Sequence, residues 1–229
     1  MRRVTSLFVA ALSLASHASH AQQKTARQLK IITMTTANAT AVSEVEKGRL
    51  TQQERNYATK FLNETEQGVF DAVKNLSEAQ LKFKPAPEKW SIEECLEHIA
   101  VAETNLWAMV TESLKQPANS EKRAEVKMTD EQLVGAVKDR AHKSKTFEAL
   151  EPANAPYKTA AEAVASFKEN REKLVAFVKT SNEDLRAHIS ALPIGTYDAY
   201  QLILLIAGHS NRHTQQIEEV KANPSFPKR

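Results

Sequence analysis

Toward the C-terminus the chain reads LILLIAGHSNRHTQQIEEV, and within it His209 and His213 stand four residues apart. A helix turns by about 100° per residue, so these two imidazoles project from one side. Leu202, Leu205, Ile206, Ile217 and Val220 mark that same side as apolar, and Gln216 lies three residues beyond His213 on the same line. Burying a polar ring costs free energy unless its nitrogens find partners. A lone buried histidine is ordinarily satisfied by a hydrogen bond. A pair at this spacing can instead share a metal ion, with bonds of about 2.0–2.1 Å. The spacing alone is weak evidence; its place in the apolar stripe gives it weight.

Such a site needs a third ligand. His98, in ECLEHIA, flanks the apolar stripe of an earlier helix and can reach a bundle axis or its rim; the alternative is a partly exposed surface histidine. His142 follows a short helix among lysines and His188 falls in a breaker region, so both are expected in solvent. Three neutral imidazoles leave a metal with one open position, the pattern of a catalytic rather than a structural site. A metal so held lowers the pKa of bound water toward about 7, or binds a thiolate. Gln216 would hydrogen-bond a ligand or orient the open position, or else satisfy a buried polar network. No catalytic acid or base can be named: Glu94 is explained by a helix cap and Glu97 reads as a solvated face.

The elements that must position these residues are helices. Thr51 with Glu54 and Ser91 with Glu94 each form the pattern of a capping box, and Thr129 with Gln132 and Thr159 with Glu162 open two further helices. Behind the first, Ala58, Phe61, Leu62, Thr65, Val69, Ala72, Val73 and Leu76 recur at three- and four-residue steps. Behind the second run Ile92, Cys95, Leu96, Ile99, Ala102, Leu106 and Val110; the helix ends before Pro117. The third opens a short segment to about Ala141. The fourth carries Ala163, Phe167, Leu174, Phe177 and Val178. The last helix runs from about Asp198 to Ala222, stopped by Asn223 and Pro224. Proline-containing breakers separate them and no strand period persists. Four amphipathic stripes are buried most economically in a four-helix bundle, so the expected fold is all-α, of up-and-down type, with one additional short helix.

Composition agrees. Hydrophobic residues at 41% and charged residues at 26% are ordinary for a globular chain, and five glycines are few for a β-rich or nucleotide-binding fold. The first residues, MRRVTSLFVAALSLASHASHA, have a basic start, an apolar stretch too short to span a bilayer and a small-residue exit, the pattern of a secretory signal peptide over 1–21. Residues 22–48 lack sustained periodicity and read as a flexible tether before a domain over 49–224. Removing 1–21 takes away two arginines and no acid, so net charge falls from +3 to +1. No basic block remains to argue for nucleic acid, and no stable membrane insertion is expected after cleavage. The expected location is periplasmic or secreted. Cys95 is the single cysteine, so no internal disulfide can form.

EKWSIEECLEHIAVAE resembles the Trp-Ser…Glu…His-Leu segment in the second helix of DinB-like proteins, and GTYDAYQLILLIAGHSNRHTQQIEE resembles their last helix, His-x-x-x-His followed by Gln-Ile. The likeness covers about residues 50–222. It implies a four-helix bundle, often dimeric, with a metal held by three histidines, which carried over by motif are His98, His209 and His213. The implied ion is zinc or nickel, with iron or manganese also compatible with imidazole. Some relatives join small thiols to electrophiles and others are regarded as hydrolases.

The functional expectation is therefore a metal-dependent hydrolase or thiol S-transferase acting on a small-molecule substrate. Its alternatives are a protein that binds a metal or ligand without turnover, and a helical interaction module. LILLIA is apolar on more than one side, which favours a homodimer interface, though a monomer core explains it equally well.

Overall fold

The structure, a computed structural model, describes residues 49–142 and 146–228, together with Lys24, Arg27, Gln28 and Lys30, which are helical. The expected signal peptide lies outside the described residues, as does the tether apart from those four. Gly48–Arg229 forms one compact unit.

Four long helices build it: α1 (Gln52–Val73), α3 (Ile92–Leu114), α5 (Ala160–Thr180) and α6 (Ala199–Lys221). The short helices α2 (Glu78–Lys82) and α4 (Asp130–Lys138) lie in the connections. The starts are where the side chains dictate. Thr51, Ser91 and Thr129 each cap a backbone N–H, and the glutamate or glutamine three residues on returns the bond to the cap residue. Thr159 also caps, but Glu162 turns its carboxylate to the Lys158 N–H instead. Ser77 and Gln80 make a further box, which nucleates α2 inside a stretch read as a breaker.

Cross-bundle contacts fix the directions. Arg55 near the start of α1 donates to Val178 and Ser181 near the end of α5, so these helices are antiparallel. Glu93 reaches Ala160 and Thr104 meets Asn170, so α3 and α5 are parallel. Tyr200 bonds Glu54 and Lys221 bonds Ala72, so α1 and α6 are parallel. Within the four-helix bundle the order is thus up, down, down, up. The long connection from α3 to α5 allows the repeated direction, because it returns the chain to the starting end.

The connection before α6 is a hairpin, β1 (Ile189–Leu192) and β2 (Gly195–Asp198), antiparallel with Leu192 opposite Gly195. Gly195 has φ +142°, a conformation that side-chain-bearing residues rarely adopt. LPIGTYD therefore holds the last residue of β1, a two-residue turn and all of β2. Each strand is four residues long, too short to declare a period of two.

The core has two apolar clusters. One gathers Leu62, Leu106, Leu174 and Leu202–Ala207; the other gathers Val69, Ile99, Phe167 and Ile217. LILLIA is buried on all sides within the chain, enclosed by α1, α3 and α4, so it carries no argument for a second copy. Between the clusters lies a polar layer of Thr65, Glu103, Arg171 and Ser210, one residue from each long helix. Among the described residues no helix is long and apolar enough to cross a membrane.

Candidate metal centre

His98 lies in the second turn of α3, fixed by the Ser91–Glu94 box that starts the helix. His209 and His213 occupy successive turns of α6. Antiparallel packing of α3 on α6 brings the three rings into a nearly equilateral triangle, with centroid separations of 4.9, 4.5 and 4.5 Å. Gly208 precedes the first of the pair, and a Cβ there would lie 3.1 Å from Val137 Cγ1. Its bare Cα lets α4 approach α6 closely beside the site.

Two of the rings have their outward nitrogen anchored. His98 Nδ1 is 2.7 Å from the Leu150 carbonyl oxygen, which can only accept, so Nδ1 carries the proton and Nε2 presents a lone pair. His213 Nδ1 is 3.1 Å from Gln216 Oε1. That oxygen also accepts from Arg140 Nη1 at 3.3 Å, and Arg140 forks onto Glu219 with its Nε and Nη2. An arginine only donates, so the Gln216 atom facing it is the oxygen and His213 is likewise protonated at Nδ1. This hydrogen-bond chain runs Glu219, Arg140, Gln216, His213.

Inside the triangle His98 Nε2 and His209 Nε2 are 3.1 Å apart, and one ligand atom from each of the three rings falls within 4.8 Å of the others. Two nitrogens at about 2.0–2.1 Å from one ion at a near-tetrahedral angle sit about 3.3 Å apart. The donor set therefore fits a divalent metal. The rings are also in the right protonation state. Burial pushes all three imidazoles below their ordinary pKa: His209 to about 3, helped by His98 and Arg212, and His213 well below, helped by its two histidine neighbours and Arg140. Trp90, the residue before the α3 cap, closes one wall with its ring centroid 4.8 Å from that of His98 and 5.9 Å from that of His213.

The other candidates fall outside. Cys95 is buried one turn from His98, but burial raises its thiol far above neutrality and it does not join the cluster. His142 is exposed, as expected, and pairs with Asp139. His188 is not in solvent: it is 8% exposed, with Nδ1 2.9 Å from the Ser113 carbonyl, because the hairpin folds against the end of α3. Glu94 serves the cap. Glu97 is half-buried rather than solvated, and burial, with Glu93 and Glu94 alongside, raises its carboxyl to about 7. Arg140 and Leu150 lie in the connections between the long helices, where no periodic pattern marks them in the sequence. A groove lined by Tyr57, Glu131, Val134, Lys138 and Gln215 holds none of the three histidines.

Comparison with known proteins agrees with the helical-bundle fold. The uncharacterized protein YuaE of Bacillus subtilis (strain 168) is 28% identical over 162 residues, covering 70% of this chain and 95% of its own. The solved structure of YfiT from Bacillus subtilis, described as a probable metal-dependent hydrolase with an unusual four-helix bundle topology, matches with a TM-score of 0.53. It is 14% identical, over 78% of this chain and 91% of that one. The model of the DinB superfamily matches residues 62–217. With most of its bundle inside that match, the chain belongs to the DinB superfamily.

Proposed function

We propose that this chain is a metal-dependent hydrolase whose ion is held by the Nε2 atoms of His98, His209 and His213. The observation that carries the reading is the convergence of three neutral imidazoles, two of them with Nδ1 protons tied outward to Leu150 and Gln216. The description of YfiT, which shares the fold, supports hydrolysis as the first reading. Zinc or nickel suits the imidazole set best, and iron or manganese is compatible with it. When bound, such an ion supplies Lewis acidity and lowers the pKa of a coordinated water or thiol. The chain's own residues orient the ligands, keep them unprotonated and wall off one side with Trp90.

A thiol S-transferase is the second reading. The cluster contains no carboxylate, so the charge of a divalent ion is uncompensated, which favours an anionic thiolate in the open position. The N-terminal sequence pattern supports a periplasmic or secreted location, tested by fractionating cells that express the full chain. A cytosolic pool of uncleaved chain would contradict it.

The functional test starts from metal analysis of the purified protein. About one transition metal per chain is expected, lost in the His209→Ala/His213→Ala variant. The holoprotein is then offered esters, amides and thiol–electrophile pairs. Hydrolysis abolished by chelation and restored by the ion supports the first reading, and thiol transfer with the same dependence supports the second. Turnover that survives chelation contradicts both. A bound metal without turnover leaves a binding protein.

A further inference from the structure

The middle of the bundle holds an ion pair that the proposed chemistry does not use. Arg171 is 0% exposed and Glu103 is 2% exposed. Arg171 Nε and Nη2 donate to the two Glu103 oxygens at 2.7 and 2.8 Å. Its Nη1 donates to the Leu62 carbonyl and to Thr65 Oγ1, both at 2.7 Å, and Nη2 donates to Ser210 Oγ at 2.7 Å. All five guanidinium N–H groups are thereby matched, and none is left for a ligand.

Stability alone does not call for such a pair. Replacing a buried ion pair by well-packed apolar side chains is often neutral or stabilising, and the best-attested use of buried polar groups is to fix register. The placement here bears on register. Glu103 lies five residues along α3 from His98, and Ser210 on α6 is flanked by His209 and His213. A slip of one residue between α3 and α6 displaces His98 by about 1.5 Å and turns it by about 100°, too much for bonds of about 2.0–2.1 Å. The apolar clusters on either side define a helix face but offer few directional contacts against a slip. A guanidinium joined to all four helices does.

We propose that the Arg171–Glu103 pair sets the register that brings His98 onto His209 and His213, making Arg171 and Glu103 positioning residues of the metal centre. The proposal rests on the metal-centre reading above. It is tested with the full chain by zinc titration against a competing chelator, alongside thermal melting, for the parent and for a Glu103→Met/Arg171→Met variant. Thr65 and Ser210 still donate to carbonyls of their own helices, so the double change orphans neither hydroxyl. The expected result is a melting temperature at or above the parent's with zinc affinity at least tenfold weaker.

Parent-like affinity in the double variant overturns the proposal, as does a loss explained entirely by an unfolded fraction. Should the double variant not fold, Arg171→Lys keeps the charge while losing the fork, and parent-like affinity there overturns the proposal equally. A parent chain that binds no zinc or other transition metal overturns the metal-centre reading itself.

Discussion

His98 Nε2 and His209 Nε2 lie 3.1 Å apart although 111 residues separate them in the chain. Nothing local forces that approach. It follows from where α3 is capped, how α6 packs on it, and which nitrogen each ring turns outward. Replacing His98 by alanine should therefore weaken zinc binding more than about 100-fold, beyond the usual 10–100-fold cost of losing an outer hydrogen-bond partner. Chelator competition measures it, and the helical circular dichroism should stay at the parent's level.

The chain from Glu219 through Arg140 and Gln216 to His213 predicts a graded effect. Gln216→Leu removes the acceptor of the His213 Nδ1 proton. Arg140→Ala removes the group that holds the Gln216 oxygen in place. Each should weaken metal binding by about 10–100-fold for Gln216 and less for Arg140, which acts one step further out. Equal affinities in both variants and the parent would show that this hydrogen-bond chain does not support metal binding.

Acid should destabilise the metal-free protein through the same three rings. Their folded pKa values lie below the ordinary histidine value, so between that value and the folded one the unfolded chain binds more protons. Their contribution is fully present above about pH 6.5 and is lost as pH falls toward the folded values. Glu97 works the other way. Its raised carboxyl binds a proton earlier in the folded state, so its contribution is present at low pH and is lost as pH rises through about 7. Melting curves from pH 7 to 5 should show a falling melting temperature, and His209→Ala/His213→Ala should flatten that slope.

The buried ion pair predicts an asymmetry between single and double changes. Arg171→Ala leaves Glu103 charged and enclosed, and Glu103→Ala does the same to Arg171. Each single variant should lose about 3–5 kcal/mol in urea unfolding, far more than the paired methionine variant.

Much of the scaffold was legible because side chains announced it. The capping pairs at Thr51, Ser91 and Thr129 placed the helix starts, and the stripe from Ile92 to Val110 is buried as its spacing required. The histidine pair on α6 was legible from its apolar surroundings, whereas His98 needed the packing of two distant helices to give it a meaning. Arg171 stood in plain view, four residues after Phe167 and three before Leu174 in the buried stripe. A charged residue in that position is a signal, but its partners sit on three other helices. Arg140, Leu150 and the hairpin lie in connections, where tertiary packing rather than periodicity decides the conformation.

X-ray absorption of the zinc-loaded protein reads the ligand set itself. Three imidazole nitrogens at about 2.0–2.1 Å are expected, with imidazole scattering reduced in His98→Ala. A spectrum with fewer than three imidazole nitrogens, or one unchanged by His98→Ala, would contradict that ligand set.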